Sequence, residues 1–183
     1  MELIHKDLKI LSIKNFYKPP TWDMRRVNRI LEENFKLYFS PNQGYNYPII
    51  KNNYDLFFVD FINLFTNTCE KIFKTYTVDV SRYRNLIWCY RSYGNNYNSV
   101  FHDHMRTSTV NAVYYHQTND GDGISFLTTT DDVFTYNVNE NELLIFPDYV
   151  RHAPTKPSGN KLRYSLNVEI PTLESSYSLF SFI

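Results

Sequence analysis

The feature that most constrains the fold is a change in hydrophobic period near residue 76. Before this point apolar residues recur every three or four positions, whereas afterwards short runs alternate with a period of two between Asn, Asp and Gly turns. A period of two is typical of half-buried β-strands. Seven or eight such strands predict an antiparallel sandwich or barrel. The predicted strands lie at 86–91, 100–104, 109–115, 124–127, 133–136, 142–146 and 161–170, with weaker candidates at 8–13 and 78–80.

Two helices are predicted ahead of the strands, at about 22–38 and about 54–75. In the second, Phe61, Phe65 and Cys69 repeat at helical spacing, which predicts that the helix packs against a sheet. The chain of 183 residues is the size of one domain. We divide it into a helical N-terminal support (1–85), a β core (86–170) and a C-terminal tail (171–183).

Charge and composition narrow the range of partners. Nineteen basic and nineteen acidic residues cancel, so no bulk field favours nucleic acid. The two cysteines form no disulfide framework, and neither a signal peptide nor an apolar run long enough to span a membrane is apparent. We therefore expect a cytoplasmic protein. Its aromatic content of 17% makes a homodimer interface one candidate use for exposed rings.

Three of the five histidines form the main candidate site. His102 and His104 stand two positions apart, so on an extended strand both side chains leave the same face. His152 follows the apolar run 143–146. Two imidazoles from one strand and a third from a distant strand can hold a transition metal and leave coordination positions open. These three residues are the predicted metal ligands and catalytic centre.

Arg163 is the candidate anchor for a small anionic ligand, because a guanidinium receives a carboxylate through two parallel hydrogen bonds. Ser165 shares its face of the strand and can add a hydroxyl donor. Asn111 and Tyr115 also share one face of their strand, so both are expected to reach the same ligand.

The order of these motifs resembles that of the 2-oxoglutarate/Fe(II)-dependent oxygenases, in particular small members from bacteria and phages. The resemblance covers about residues 86–170. It implies a double-stranded β-helix of the jelly-roll or cupin type, Fe(II) and 2-oxoglutarate as cofactors, and hydroxylation of a C–H bond. It also implies that His102 and His152 bind iron, that Arg163 and Ser165 bind the cosubstrate, and that Asn111, Tyr115 and Tyr90 line its pocket. The matching segments are 88–90, 102–104, 111–115, 121–126, 143–147, 152 and 163–167.

One position departs from the family pattern. The usual second ligand is a carboxylate two residues after the first histidine, and here that residue is His104. Three interpretations stay open: a site of three histidines, a β-bulge that turns Asp103 inward, or a degenerate site with weak or no metal.

Two other classes of function compete with the oxygenase. One is a cupin-like three-histidine metalloenzyme that does not use 2-oxoglutarate and so has no need of Arg163 as an anchor. The other is a non-catalytic β-sandwich, such as a phage structural protein or a carbohydrate-binding module. For an oxygenase, the sequence leaves the substrate open between a small molecule and a peptide side chain.

Overall fold

A computed structural model describes residues 1–17, 47–48, 56–74, 87–94, 100–105, 109–170 and 175–183. Within these ranges the chain is mainly β, with one long helix and one short one. The helices are α1 (Leu56–Phe73) and α2 (Ser176–Leu179). The strands are β1 (Glu2–His5), β2 (Ile10–Ile13), β3 (Tyr47–Pro48), β4 (Ile87–Ser92), β5 (Val110–Gln117), β6 (Gly123–Leu127), β7 (Val133–Asn137), β8 (Glu142–Pro147), β9 (His152–Pro154) and β10 (Arg163–Ile170).

The strands form two antiparallel sheets. The larger has the order β1-β2-β8-β5-β10-β4-β3, and the smaller has the order β7-β6-β9. The sheets face each other through aromatic side chains, with the Phe126 and Phe146 rings 5.3 Å apart. The predicted antiparallel β architecture is confirmed, although the described pairing gives two sheets and does not close them into one barrel.

Both faces of the central strands of the large sheet are buried. Every residue of β8 is therefore buried, and apolar side chains lie on both of its sides. One face packs against α1, which contributes Phe61, Phe65 and Cys69 to a shared core. The other face packs against the small sheet through Ile124 and Phe126. The ligand pocket described below opens on this second side.

Most of the predicted elements in the described ranges are present. Helix α1 and strands β4 to β8 and β10 lie within about two residues of their predicted bounds. Strand β1 was not predicted, and both β1 and β2 join the large sheet. The predicted helix at 22–38 and the strand at 78–80 lie outside the described residues. Among these residues, no helix is both long and apolar enough to cross a membrane.

One prediction at the site is wrong. The segment 100–104 is not a strand, because within the described residues it pairs only through the bridge between His102 and His152. The ladder stops there since the backbone N–H of His104 donates to the Asp148 carbonyl instead.

At the end of the chain, Leu179 and Phe180 are buried in the core shared with α1.

A buried carboxylate ties the start of the chain to β8. Glu142 is fully buried and accepts hydrogen bonds from the Ser12 and Tyr136 hydroxyls and from Asn139. Burial alone would raise the pKa of Glu142, but these hydrogen bonds outweigh it and lower the pKa below its usual value. The carboxylate therefore stays ionised and holds the turn before β8.

The docking of α1 depends on Phe61, which is fully buried with its ring 5.1 Å from that of Tyr114 on β5. We expect Phe61→Ala to lower the free energy of unfolding by about 3–5 kcal/mol, because it removes a large side chain and leaves a cavity. Urea denaturation measures the change. Asn67→Ala, on the exposed face of the same helix, is the control and should change stability by less than about 0.5 kcal/mol.

Glu142 also predicts a pH dependence. Its folded pKa lies below the unfolded value of about 4.3, so its stabilisation is present above that pH and is lost as the pH falls through the folded pKa. Glu142→Gln should destabilise the protein by about 1–3 kcal/mol at pH 7 and flatten the loss of stability below pH about 4. Denaturation across pH tests this, with the exposed Glu140→Gln as control. Equal pH profiles for wild type and Glu142→Gln would contradict it.

Candidate metal centre

The three predicted histidines meet in the structure. The potential ligand nitrogens of His102, His104 and His152 all lie within 4.8 Å of one another. The ring centroids are 4.6 Å apart for His102 and His152, 5.1 Å for His102 and His104, and 5.2 Å for His104 and His152. Among the described residues, this is the one group of three or more potential ligands close enough to share a metal ion.

Backbone hydrogen bonds position the cluster even though 100–104 is not a strand. His102 and His152 exchange both of their N–H···O bonds, at 3.1 and 2.9 Å. The His104 N–H donates to the Asp148 carbonyl at 2.9 Å. Asp103 between them is exposed, and its carboxylate accepts from the Met105 N–H at 3.4 Å. Asp103 therefore does not turn inward in this geometry.

The other ring nitrogens are already engaged. Nδ1 of His102 lies 3.1 Å from the Val100 carbonyl, and Nδ1 of His152 lies 3.0 Å from the Val150 carbonyl. A carbonyl can only accept, so both Nδ1 atoms must carry the proton, and Nε2 is the nitrogen with a lone pair. Nδ1 of His104 lies 2.5 Å from a Glu169 carboxylate oxygen. Each imidazole is thus held in the tautomer that presents Nε2 as a ligand.

His152 is the most buried of the three. It is 6% exposed, and its ring packs on the edge of Phe146 at 4.8 Å. Burial, together with the neighbouring His102, lowers the pKa of His152 to about 3. The imidazole is therefore neutral across the physiological range, which is the protonation state a metal ligand requires.

The cluster lies at one wall of a pocket between the two sheets, and Arg163 lies on the same pocket's lining. Arg163 is 1% exposed. Its Nε donates to the Ser92 hydroxyl at 2.9 Å, and its terminal nitrogens donate to the carbonyls of Thr155, at 2.9 Å, and Gly123, at 3.3 Å. Polar protein atoms thus orient the guanidinium without neutralising it.

Within the described part of the chain, no carboxylate lies within ion-pairing distance of Arg163. Burying an unpaired charge is costly, because the group loses its hydration without gaining an opposite charge. Asp122 contributes only a longer-range field to this region, and its own oxygens accept from Asn119 and Ser158. The pocket therefore offers a buried cation that an anionic ligand would neutralise.

The remaining predicted pocket residues surround the same space: Tyr90, Asn111, Tyr115 and Ser165 all line it. Ser165 pairs directly with Tyr115 on one side and with Tyr90 on the other, so the three side chains share a face. Burial raises the pKa of the Tyr115 phenol, even though Arg163 opposes that shift, so the hydroxyl stays protonated and can donate.

Sequence reasoning missed two polar lining residues, Asn167 and Glu169. Strand alternation could have identified them, because Asn167 and Glu169 lie on the same face of β10 as Arg163 and Ser165. The Nδ2 atom of Asn167 is buried and makes no hydrogen bond within the described residues, so it is an available donor at the pocket wall. Glu169 is 7% exposed and meets His104.

A transition metal fits this donor set. Three imidazoles that converge within 4.8 Å suit iron and its neighbours in the first transition series, and the open side of the pocket leaves room for further ligands. Aromatic and aliphatic walls from Phe146 and Ile124 limit the access of water.

No family model matches the sequence, and no characterised protein matches it at significant similarity. Solved structures share its fold. The non-heme alpha-ketoglutarate-dependent carbocyclase SnoK, from nogalamycin biosynthesis, superposes with a TM-score of 0.63 over 97% of this chain and 87% of its own at 8% identity. A Pseudomonas putida prolyl-4-hydroxylase gives 0.57 over 89% and 92% at 12% identity. A Phytophthora capsici prolyl 4-hydroxylase gives 0.65 over 91% and 60% at 13% identity. The chain thus shares its fold with these three enzymes.

Proposed function

We propose that this protein is a 2-oxoglutarate/Fe(II)-dependent oxygenase. The observation that carries the proposal is the buried Arg163, which has no carboxylate partner among the described residues and lines the same pocket as the three histidines. A metal centre alone does not need a buried cation beside it. A cosubstrate with one carboxylate for the metal and another for Arg163 accounts for both features. The shared fold supports the same proposal.

In this proposal His102, His104 and His152 hold Fe(II) through Nε2. When bound, Fe(II) with 2-oxoglutarate supplies the oxidation of a substrate C–H bond by O₂. Arg163 binds the distal carboxylate of 2-oxoglutarate through its charge and the remaining Nη2 N–H. Its hydrogen bonds to Ser92, Gly123 and Thr155 hold the guanidinium in place. Ser165 and the Tyr115 hydroxyl donate to the same end of the ligand.

The other lining residues shape the pocket. Asn111 and Tyr90 line its sides, and Nδ2 of Asn167 donates a hydrogen bond to an oxygen of the ligand. Ile124 and Phe146 exclude water, which strengthens every charged hydrogen bond inside. The substrate we propose is a small molecule or a peptide side chain, since the net charge of zero gives no attraction to a phosphate backbone.

A cupin-like three-histidine enzyme that does not use 2-oxoglutarate is the second candidate. One observation favours it: the converging ligand set contains no carboxylate. The two candidates differ in whether the metal-loaded protein binds 2-oxoglutarate. A non-catalytic sandwich, the third class considered, predicts neither metal nor cosubstrate binding.

The metal centre predicts that His152→Ala lowers the affinity for Fe(II) by more than about 100-fold. Loss of a residue that only hydrogen-bonds a metal ligand already lowers metal affinity by about 10–100-fold, and His152 is a ligand itself. Anaerobic Fe(II) titration by calorimetry measures this. His5→Ala is the matched control, since His5 is partly buried and packs on Phe134 away from the cluster. Fe(II) affinity that is unchanged in His152→Ala would exclude the centre.

The cosubstrate site predicts that Arg163→Lys lowers 2-oxoglutarate affinity about 10–100-fold while Fe(II) affinity stays near that of wild type. A flexible ammonium lacks the protein hydrogen bonds that hold the guanidinium in place, and a hydrogen bond to a charged group is worth about 1.5–3 kcal/mol. The measurement is an anaerobic 2-oxoglutarate titration of the Fe(II)-loaded protein, followed by its visible charge-transfer absorption.

Circular dichroism of the Arg163→Lys variant checks that the fold survives. If metal-loaded wild type binds no 2-oxoglutarate, the oxygenase proposal fails and the cosubstrate-free enzyme replaces it. If wild type binds no metal either, the non-catalytic class replaces both.

A further inference from the structure

We propose that Glu169 is a positioning residue of the metal centre. Its carboxylate accepts the Nδ1 hydrogen bond of His104, directs Nε2 of that ring to the metal, and supplies the negative charge that the three histidines lack. This inference rests on the metal-binding half of the proposed function and is independent of 2-oxoglutarate.

The geometry of the pair is close and shielded. The Glu169 carboxylate oxygen lies 2.5 Å from Nδ1 of His104, and their side chains are 9% and 14% exposed. Strand β10 fixes Glu169, which pairs with Asn111 of β5 in the centre of the large sheet. The Thr109 N–H, which donates to the carbonyl of Ile170 at 2.7 Å, secures the adjoining turn. The rigid strand thus orients the less regular His104 segment.

Glu169 differs from the groups that hold the other two rings. His102 and His152 each donate Nδ1–H to a neutral backbone carbonyl two residues earlier in the chain. His104 meets an acid instead, and a hydrogen bond to an ionised acceptor is about twice as strong as a neutral one. A carboxylate on the far nitrogen also raises the basicity of the ligating nitrogen.

The charge balance of the site gives the second reason. Three neutral imidazoles leave the full charge of a divalent ion uncompensated, and the position two residues after His102 carries His104 in place of an acid. The neighbouring Asp103 is exposed and directed to the Met105 N–H. Among the described residues, Glu169 is therefore the buried carboxylate that contacts the histidine cluster. It is not itself one of the converging ligands, which are the three histidines.

The test compares Glu169→Ala, Glu169→Gln and Asp103→Asn with wild type. At position 169, Gln keeps an acceptor oxygen but removes the charge, whereas Ala removes both. Asp103→Asn is the control, because it removes an equal charge from the residue between His102 and His104. Each protein is titrated anaerobically with Co(II), a coloured stand-in for Fe(II), without 2-oxoglutarate. The dissociation constant and the visible ligand-field spectrum are recorded, and urea denaturation of the metal-free variants measures their stability.

We expect Glu169→Ala to weaken Co(II) binding about 10–100-fold and Glu169→Gln to weaken it less, both with altered ligand-field spectra. Asp103→Asn should change the affinity by less than about threefold, because an exposed charge interacts weakly through solvent. A purely structural role would lower the stability of the metal-free protein and leave the spectrum unchanged.

The inference is overturned if a folded Glu169→Ala binds Co(II) like wild type with the same spectrum, or if Asp103→Asn weakens binding as much as Glu169→Gln. Either outcome leaves the proposed oxygenase standing, because its test is 2-oxoglutarate binding. Conversely, if the metal-loaded protein does not bind 2-oxoglutarate, the oxygenase proposal fails. Glu169 is then still the positioning residue of a metal centre, but of another kind.

Discussion

The side-chain alternation of β10 is the constraint on which the site depends. Tyr164, Leu166 and Val168 face the core shared with α1, whereas alternate residues from Arg163 to Glu169 face the pocket. Pairing with β4 on one side and β5 on the other fixes this register. A slip of one residue would exchange the two faces and put a guanidinium into the apolar core, so the same burial that stabilises the sheet also positions the ligand-binding residues.

The pocket contains polar groups that folding alone does not need. Arg163 is buried among hydroxyl and carbonyl oxygens with no ion pair in the described part of the chain, and His152 is buried as a neutral imidazole beside aromatic rings. Both arrangements cost stability, which the two apolar cores on either side of the large sheet offset. In the proposed function these groups are pre-organised for a carboxylate and a cation, so binding requires little rearrangement of the protein.

Residues on regular strands were the most predictable from sequence. Alternation alone groups Arg163 with Ser165 and Asn111 with Tyr115, and the structure brings all four to one pocket. The same rule would have found Asn167 and Glu169. The segment 100–104 was mispredicted as a strand because its residue types favour extended backbone, while its hydrogen bonds go to β9 and to the turn after β8. Propensity carries no information about which distant carbonyl is within reach.

The sequence by itself determined the periodicity, and with it the predominantly β fold and the long apolar helix. It also fixed the two-residue spacing of His102 and His104. Only the tertiary structure decided that His152 meets them, that Asp103 faces solvent, and that Glu169 contacts His104. Local patterns report which face of an element is buried, because burial acts residue by residue. Contacts between segments separated by tens of residues depend on sheet order and register, which follow from the packing of the whole chain.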